Sequence, residues 1–137
     1  MIKSHLQLKF LPRNPDLALL LLRLWLGLSM LILHGWPKLL KLTGGNHKFA
    51  DPFGIGELPS LVIAVVTEVA CSILLVIGLF GRLSALMLAG TMAVAWGITH
   101  HMKLTGPGSG ELAFIYLAGF LVVVLAGSGK YSVEGQG

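Results

Sequence analysis

The chain has 137 residues, 55% of them hydrophobic and only 12% charged, with a mean hydropathy of +0.82 and a formal net charge of +4. A soluble domain carries about 25% charged residues, so the composition excludes a water-clothed globule and a disordered chain and points to lipid as the solvent. The basic residues are scattered rather than gathered into a stripe, which excludes nucleic acid as a partner and fits charges that flank helices at a lipid surface.

In chain order, residues 1–16 read as a basic tail before an uncleaved helix, because no small-x-small site follows the first apolar run. The first helix is expected over about 16–38. Pro15 and Asp16 start it, Arg23 is the one charge within Leu17 to Leu33, and Trp36-Pro37-Lys38 closes it at an interface. A Gly-rich polar loop follows at 42–57. The second helix is expected over 58–80, with Pro59 near its first turn and Glu68 as its only charge. Gly81-Arg82 is a tight turn. The third helix, 83–102, carries Ala85, Ala89, Ala93 and Gly97, a small-residue stripe that lets helices approach closely in lipid. A Gly/Pro connection leads to the fourth, 111–127, and a polar tail begins at Ser128.

Short connections make neighbouring helices antiparallel. The expected fold is therefore all-α, a single integral membrane domain over 1–137 built as a four-helix up-down-up-down bundle. Lys3, Lys9, Arg13, Arg82 and Lys130 fall on the side of the termini, against Lys38, Lys41, Lys48 and Lys103 opposite. The positive-inside rule then places both termini in the cytoplasm.

A rise of about 1.5 Å per residue sets depths from the face that holds the termini: about 10 Å for Arg23, 18 Å for Glu68, 16 Å for Tyr116, 21 Å for Trp96 and 24–27 Å for His34, His100 and Glu111. Two layers follow. Arg23 and Glu68 form a central one and are expected to meet across about 8 Å of axial offset. His34, His100 and Glu111 form a second layer near the opposite face. Thr67, Glu68, Cys71 and Ser72 make one polar stripe on the second helix, and Trp96 and His100 are an i,i+4 pair on the third. A charge at mid-helix costs about 2.5–3.5 kcal/mol on insertion scales, so Arg23 and Glu68 require a structural or a functional reason.

Cys71 is the single cysteine, which rules out an internal disulfide or a CxxC pair. No Walker A, GxGxxG, HExxH or CxxCH motif is present. A faint internal echo relates His34-x3-Lys38 and Gly56-Glu57-Leu58 to His100-x2-Lys103 and Gly110-Glu111-Leu112.

Arg23-x3-Gly27, His34-Gly35-x2-Lys38, Phe53-Gly54-Ile55-Gly56, Glu68, Gly78-Leu79-x-Gly-Arg82, His100 and the tail Gly127-Ser128-Gly129-Lys130-Tyr131-Ser132-Val133-Glu134 together resemble the DoxX family of small four-helix membrane proteins. The tail departs from the family pattern at Ser128, Lys130, Val133 and Glu134. Cys71 and Ser72 stand where glycines often follow the second-helix Glu. The resemblance implies a bacterial or archaeal inner-membrane protein. It also implies a link to thiosulfate:quinone oxidoreduction, to membrane oxidoreductase complexes of thiol and oxidative stress, or to quinone stress.

The expected function is a quinone-linked oxidoreductase subunit in thiol, sulfur or oxidative-stress redox chemistry. Glu68 and Arg23 are the candidate catalytic pair, as proton acceptor and electrostatic anchor. His34 and His100 are candidate donors to a quinone, Trp96 is the slot wall, and Glu111 and Tyr116 complete the ligand-binding set. A quinone is the expected cofactor; neither a haem on His34 and His100 nor a metal is. A redox partner subunit and a homo-oligomer are the expected protein partners, beside the bilayer. The rival readings are a small-solute or proton carrier and a non-catalytic assembly subunit.

Overall fold

Asn14 opens the first long helix: its Oδ1 accepts the Leu17 N–H at 3.0 Å, Pro15 occupies the first turn, and Asp16 sits at the positive end of the helix. The computed structural model describes residues 1–135, and among them it is helical with no strand. A short exposed helix, α1 (Ile2–Leu6), lies in what the sequence presents as a plain tail. The first long helix is continuous from Pro15 to Thr43 as α2 (Pro15–Met30), a π-helical turn π1 (Leu31–Gly35) and α3 (Trp36–Thr43). The second runs from Glu57 to Ile77 as α4 (Glu57–Val65), π2 (Val66–Cys71) and α5 (Ser72–Ile77). The third, Gly81 to Thr99, is α6 (Gly81–Val94) followed by π3 (Ala95–Thr99). The last is α7 (Glu111–Ala126).

The first three have 29, 21 and 19 residues and are apolar enough to cross a membrane. α7 is apolar along its length but has 16 residues. Each of the first three contains one π turn, in which the backbone bond is i→i+5 rather than i→i+4; such turns are rare and gather at functional sites.

The core is a seam between α6 and α7 closed by α2 and α5, with Met30, Leu75, Ala85, Leu88, Phe120 and Val123 at its centre. Of the small-residue stripe on α6, Ala85 and Ala89 are buried in this seam, while Ala93 is exposed and Gly97 is half-buried. Close packing is thus confined to the half of the stripe nearest the termini. The polar stripe on the second helix points inward as a unit: Thr67, Glu68, Cys71 and Ser72 are all buried.

The two ends of the molecule are built differently. At one end Asp16, the α5–α6 turn and the segment 127–134 are bound together. At the other, the loop 44–56 and His100 border a cavity. Asp51 organises that loop: its carboxylate accepts the N–H groups of Ile55 and Gly56, both at 2.9 Å, and the Ser60 hydroxyl at 3.1 Å. This fixes the loop to the first turn of α4.

Candidate functional site

The cavity has a volume of about 590 Å³ and is mostly apolar, within the range of ligand sites. One wall is α4 with π2, through Ile63, Thr67 and Glu68. The facing wall is α6 with π3, through Met87, Gly90 and Ala95. Phe49, Pro52 and Phe53 of the loop border it above, and Lys38 and His100 complete the polar lining.

Lys38 and Glu68 form an ion pair inside this cavity. Lys38 Nζ lies 3.0 Å from both carboxylate oxygens, and Glu68 is almost fully buried. Nζ donates to Oε1 and more weakly to the His34 carbonyl at 3.4 Å, so π1 helps to hold it. Oε2 lies outside hydrogen-bond geometry and has no donor, which leaves an open acceptor on a buried carboxylate. Gly35 makes the arrangement possible. A methyl group there would lie 2.8 Å from the Glu68 carbonyl oxygen, so only glycine lets π1 approach π2 this closely.

The expected Arg23–Glu68 contact does not form. Arg23 is buried, but Nη1 donates to the carbonyls of Ser128 and Tyr131 at 3.2 and 3.1 Å, and Nη2 donates to Tyr131 O at 2.7 Å. The reason is supply. The non-helical tail returns over the bundle with free carbonyls, and these reach the guanidinium without the axial offset that a Glu68 contact requires. Gly78 leaves room for this, since a methyl there would lie 2.7 Å from Arg23 Nη1. Glu134 completes the latch by accepting the N–H groups of Phe80 and Gly81 at the start of α6 and the Ser128 hydroxyl. The Ser128 hydrogen bond, with the two amides and Arg23 assisting, holds the Glu134 carboxyl below the usual carboxylate range against a smaller opposing cost of burial.

The other predicted residues divide. His100 lines the cavity, with Nδ1 3.0 Å from the Gly108 carbonyl. That bond requires Nδ1–H, so Nε2 is an acceptor in the neutral ring rather than a donor. Trp96 does not line the cavity. It packs on Phe114 of α7 with ring centroids 5.0 Å apart, and its buried Nε1 has no partner. The two side chains still lie side by side, since a methyl group on Gly110 would meet His100 Cβ at 2.8 Å and Trp96 Cδ1 at 3.0 Å; the Trp96 ring turns to α7 while His100 reaches the cavity.

His34 also lies away from the cavity lining, edge-on to Tyr116 at 5.7 Å. Tyr116 is buried in the core, stacks on Phe120 and donates to Ser29 Oγ at 2.7 Å. Glu111 is exposed at the first turn of α7, as Glu57 is at that of α4. Both positions suit a carboxylate at a helix N-terminus, and neither borders the cavity. Cys71 sits with its Sγ 3.9 Å from Met87 Sδ. Sequence reasoning missed Lys38 as the partner of Glu68, and missed Asp51 and Glu134 altogether. The available signal for Lys38 was its place one turn beyond His34, with a stem long enough to reach a deeper layer.

Arranged this way, the cavity can bind a molecule with a small polar head. Lys38 offers N–H groups, Glu68 offers an open oxygen for a hydroxyl or a proton, and apolar walls take the remainder.

Comparison with known proteins gives a consistent placement. No solved structure matches the chain. A protein of Haemophilus influenzae (strain ATCC 51907 / DSM 11121 / KW20 / Rd), described only as an uncharacterized protein, is 36% identical over 119 residues, covering 78% of this chain and 81% of that one. The family model of DoxX matches residues 18–101, which contain Lys38, Glu68, His100 and both helical walls of the cavity, and the chain belongs to the DoxX family.

Proposed function

We propose that the protein is a quinone-linked subunit of a prokaryotic inner membrane, with four crossings in up-down-up-down order and both termini cytoplasmic, acting in thiol, sulfur or oxidative-stress redox chemistry. The observation that carries this reading is the apolar cavity with a buried Lys38–Glu68 ion pair in its wall. α7 at 16 residues spans about 24 Å, enough for a fourth crossing in a locally thin bilayer. The latch at Asp16, Gly81 and Glu134 brings both termini and the α5–α6 turn to one face, as four crossings require.

A quinone bound here would supply two-electron, two-proton chemistry, with electrons from a thiol or sulfur donor through a partner subunit. The residues of this chain bind it and manage protons. Lys38 Nζ donates a hydrogen bond to a carbonyl oxygen of the headgroup. Glu68, whose Oε2 is open, holds or releases the proton at that end. His100, fixed through Nδ1, would face the other end, where its Nε2 can accept a hydrogen bond only from the hydroxyl of the reduced headgroup. The aliphatic walls exclude water from the ring.

The test is binding of a tailless benzoquinone to protein in lipid nanodiscs by equilibrium dialysis. Glu68→Gln and Lys38→Met should each weaken it by at least about tenfold, a loss of about 1.4 kcal/mol. Unchanged binding in both variants would remove the quinone reading. Glu68-dependent solute flux across liposomes without quinone binding would instead support a carrier.

A further inference from the structure

The cavity is only partly enclosed, and the packing of the helices shows a gap on the side of α4 and α6. α6 leans on π2 and α5 towards the termini, but the close packing does not continue along α4. The two helices diverge from the Glu68 level upward and leave a slot between Ile63 on α4 and Gly90 on α6, with Met87, whose Sδ lies against Cys71, at its floor. Ile63, Met87 and Gly90 line the cavity and are exposed on its outer side. All three also belong to the apolar spans, so what they face is lipid rather than water. A side chain built on Gly90 meets nothing within 4 Å. The polar groups lie on the inner wall: Glu68 is buried, and Lys38 reaches it from α3. The cavity is thus polar on its inner wall and apolar at a mouth that opens sideways into the membrane.

We infer that the slot between α4 and α6 is a lateral portal. The ligand enters it from the bilayer headgroup first, and a hydrocarbon tail remains in the slot against Ile63 and Gly90. This rests on the quinone reading above and adds a substrate class to it: a membrane-resident, chain-bearing amphiphile rather than a water-soluble quinone. The physics favours the route. A tail that stays in lipid never exposes apolar surface, whereas entry from the aqueous end would cost about 25 cal/mol for each Å² of chain brought into water. It would also require passage through the loop that Asp51 ties to Ser60. Gly90 is the specificity-determining position, because the absence of its side chain keeps the slot open.

The experiment compares a tailless benzoquinone with its decyl-tailed homologue in nanodiscs carrying wild-type protein, Gly90→Leu or Ile63→Trp. Leu at position 90 fills open space, and Ile63→Trp narrows the portal from the opposite wall, so at least one folded variant is available. The portal predicts that each variant weakens the tailed ligand about tenfold more than it weakens the tailless one. Three results overturn it. One is equal loss of both ligands. Another is no loss of either ligand while Glu68→Gln still abolishes binding, which leaves the quinone reading standing and removes the portal alone. The third is a change in oligomeric state with no discrimination by tail, which would mean that a second copy covers the slot. If wild-type protein binds neither ligand, the quinone reading and the portal fall together.

Discussion

The protein buries two charges in apolar helices and treats them in opposite ways at its two ends. At the end of the termini, Arg23 is enclosed by backbone: its Nη groups donate to the Ser128 and Tyr131 carbonyls, and Glu134 ties the same tail to the first amides of α6. The pocket at that end, about 230 Å³ and bordered by Ser128 and Glu134, is not lined by Arg23. At the opposite end, Glu68 has one ammonium as partner, an oxygen without a donor, and a cavity of about 590 Å³ beside it. A charge that closes a structure is surrounded by groups of its own chain. Both charges keep one polar atom without a partner, Arg23 Nε and Glu68 Oε2, but only Glu68 has its open atom beside a cavity. The comparison assigns Arg23 to architecture and Glu68 to chemistry, although both look alike as single charges in apolar runs.

The largest effect should come from breaking the ion pair at the open end. Lys38→Met leaves a buried carboxylate uncompensated, and such a break costs about 3–5 kcal/mol. Thermal unfolding of the purified protein should show it, and Lys38→Met with Glu68→Gln together should recover part of the loss. If the double variant is no more stable than the single one, the pair is not coupled as described. Next in size is the latch. Arg23→Met orphans two carbonyls, each worth about 1–3 kcal/mol when unsatisfied. The tail from Ser128 should then become accessible to protease, while quinone binding per folded molecule stays near wild type. Loss of binding with an intact tail would invert the assignment of the two charges.

Gly35→Ala is a smaller perturbation that joins stability to the site. Its methyl would crowd the Glu68 carbonyl, and overpacking of this kind costs about 1–3 kcal/mol. The account expects weaker quinone binding as well, because π1 and π2 must separate; wild-type affinity would show that their close approach is not needed. The smallest effect belongs to Glu134. Its cap on α6 is worth about 0.5–1 kcal/mol. Since the folded protein holds its carboxyl below the usual range, that contribution is fully present above the ordinary carboxylate range. It is lost as pH falls through the lowered folded value. Glu134→Gln should remove this acid-dependent step from tail proteolysis, and a step that persists in the variant would belong to another carboxylate.

Much of this contrast was legible in the sequence, and the part that was not has a physical cause. Composition and apolar runs reveal membrane helices, because lipid leaves the backbone no other satisfied form in a chain of this pattern. Arg23 and Glu68 stood out for the same reason. Their partners did not, because partner choice depends on where a tail returns and how far a lysine stem reaches. Those are tertiary facts for Tyr131 and Lys38. Trp96 was misplaced because its ring turns to Phe114 of α7, and which neighbour a side chain packs on is not written in its helical period. Gly35 was visible as a motif residue, but its meaning needs the carbonyl it faces.

The most direct measurement is photo-crosslinking with a benzoquinone bearing a photoreactive group, in native membranes, with adducts mapped by peptide mass spectrometry. The account predicts labelling of 60–68 and 87–100, strongly reduced by Glu68→Gln and retained in Arg23→Met. Labelling concentrated at 127–134, or labelling that Arg23→Met removes and Glu68→Gln does not, would contradict it.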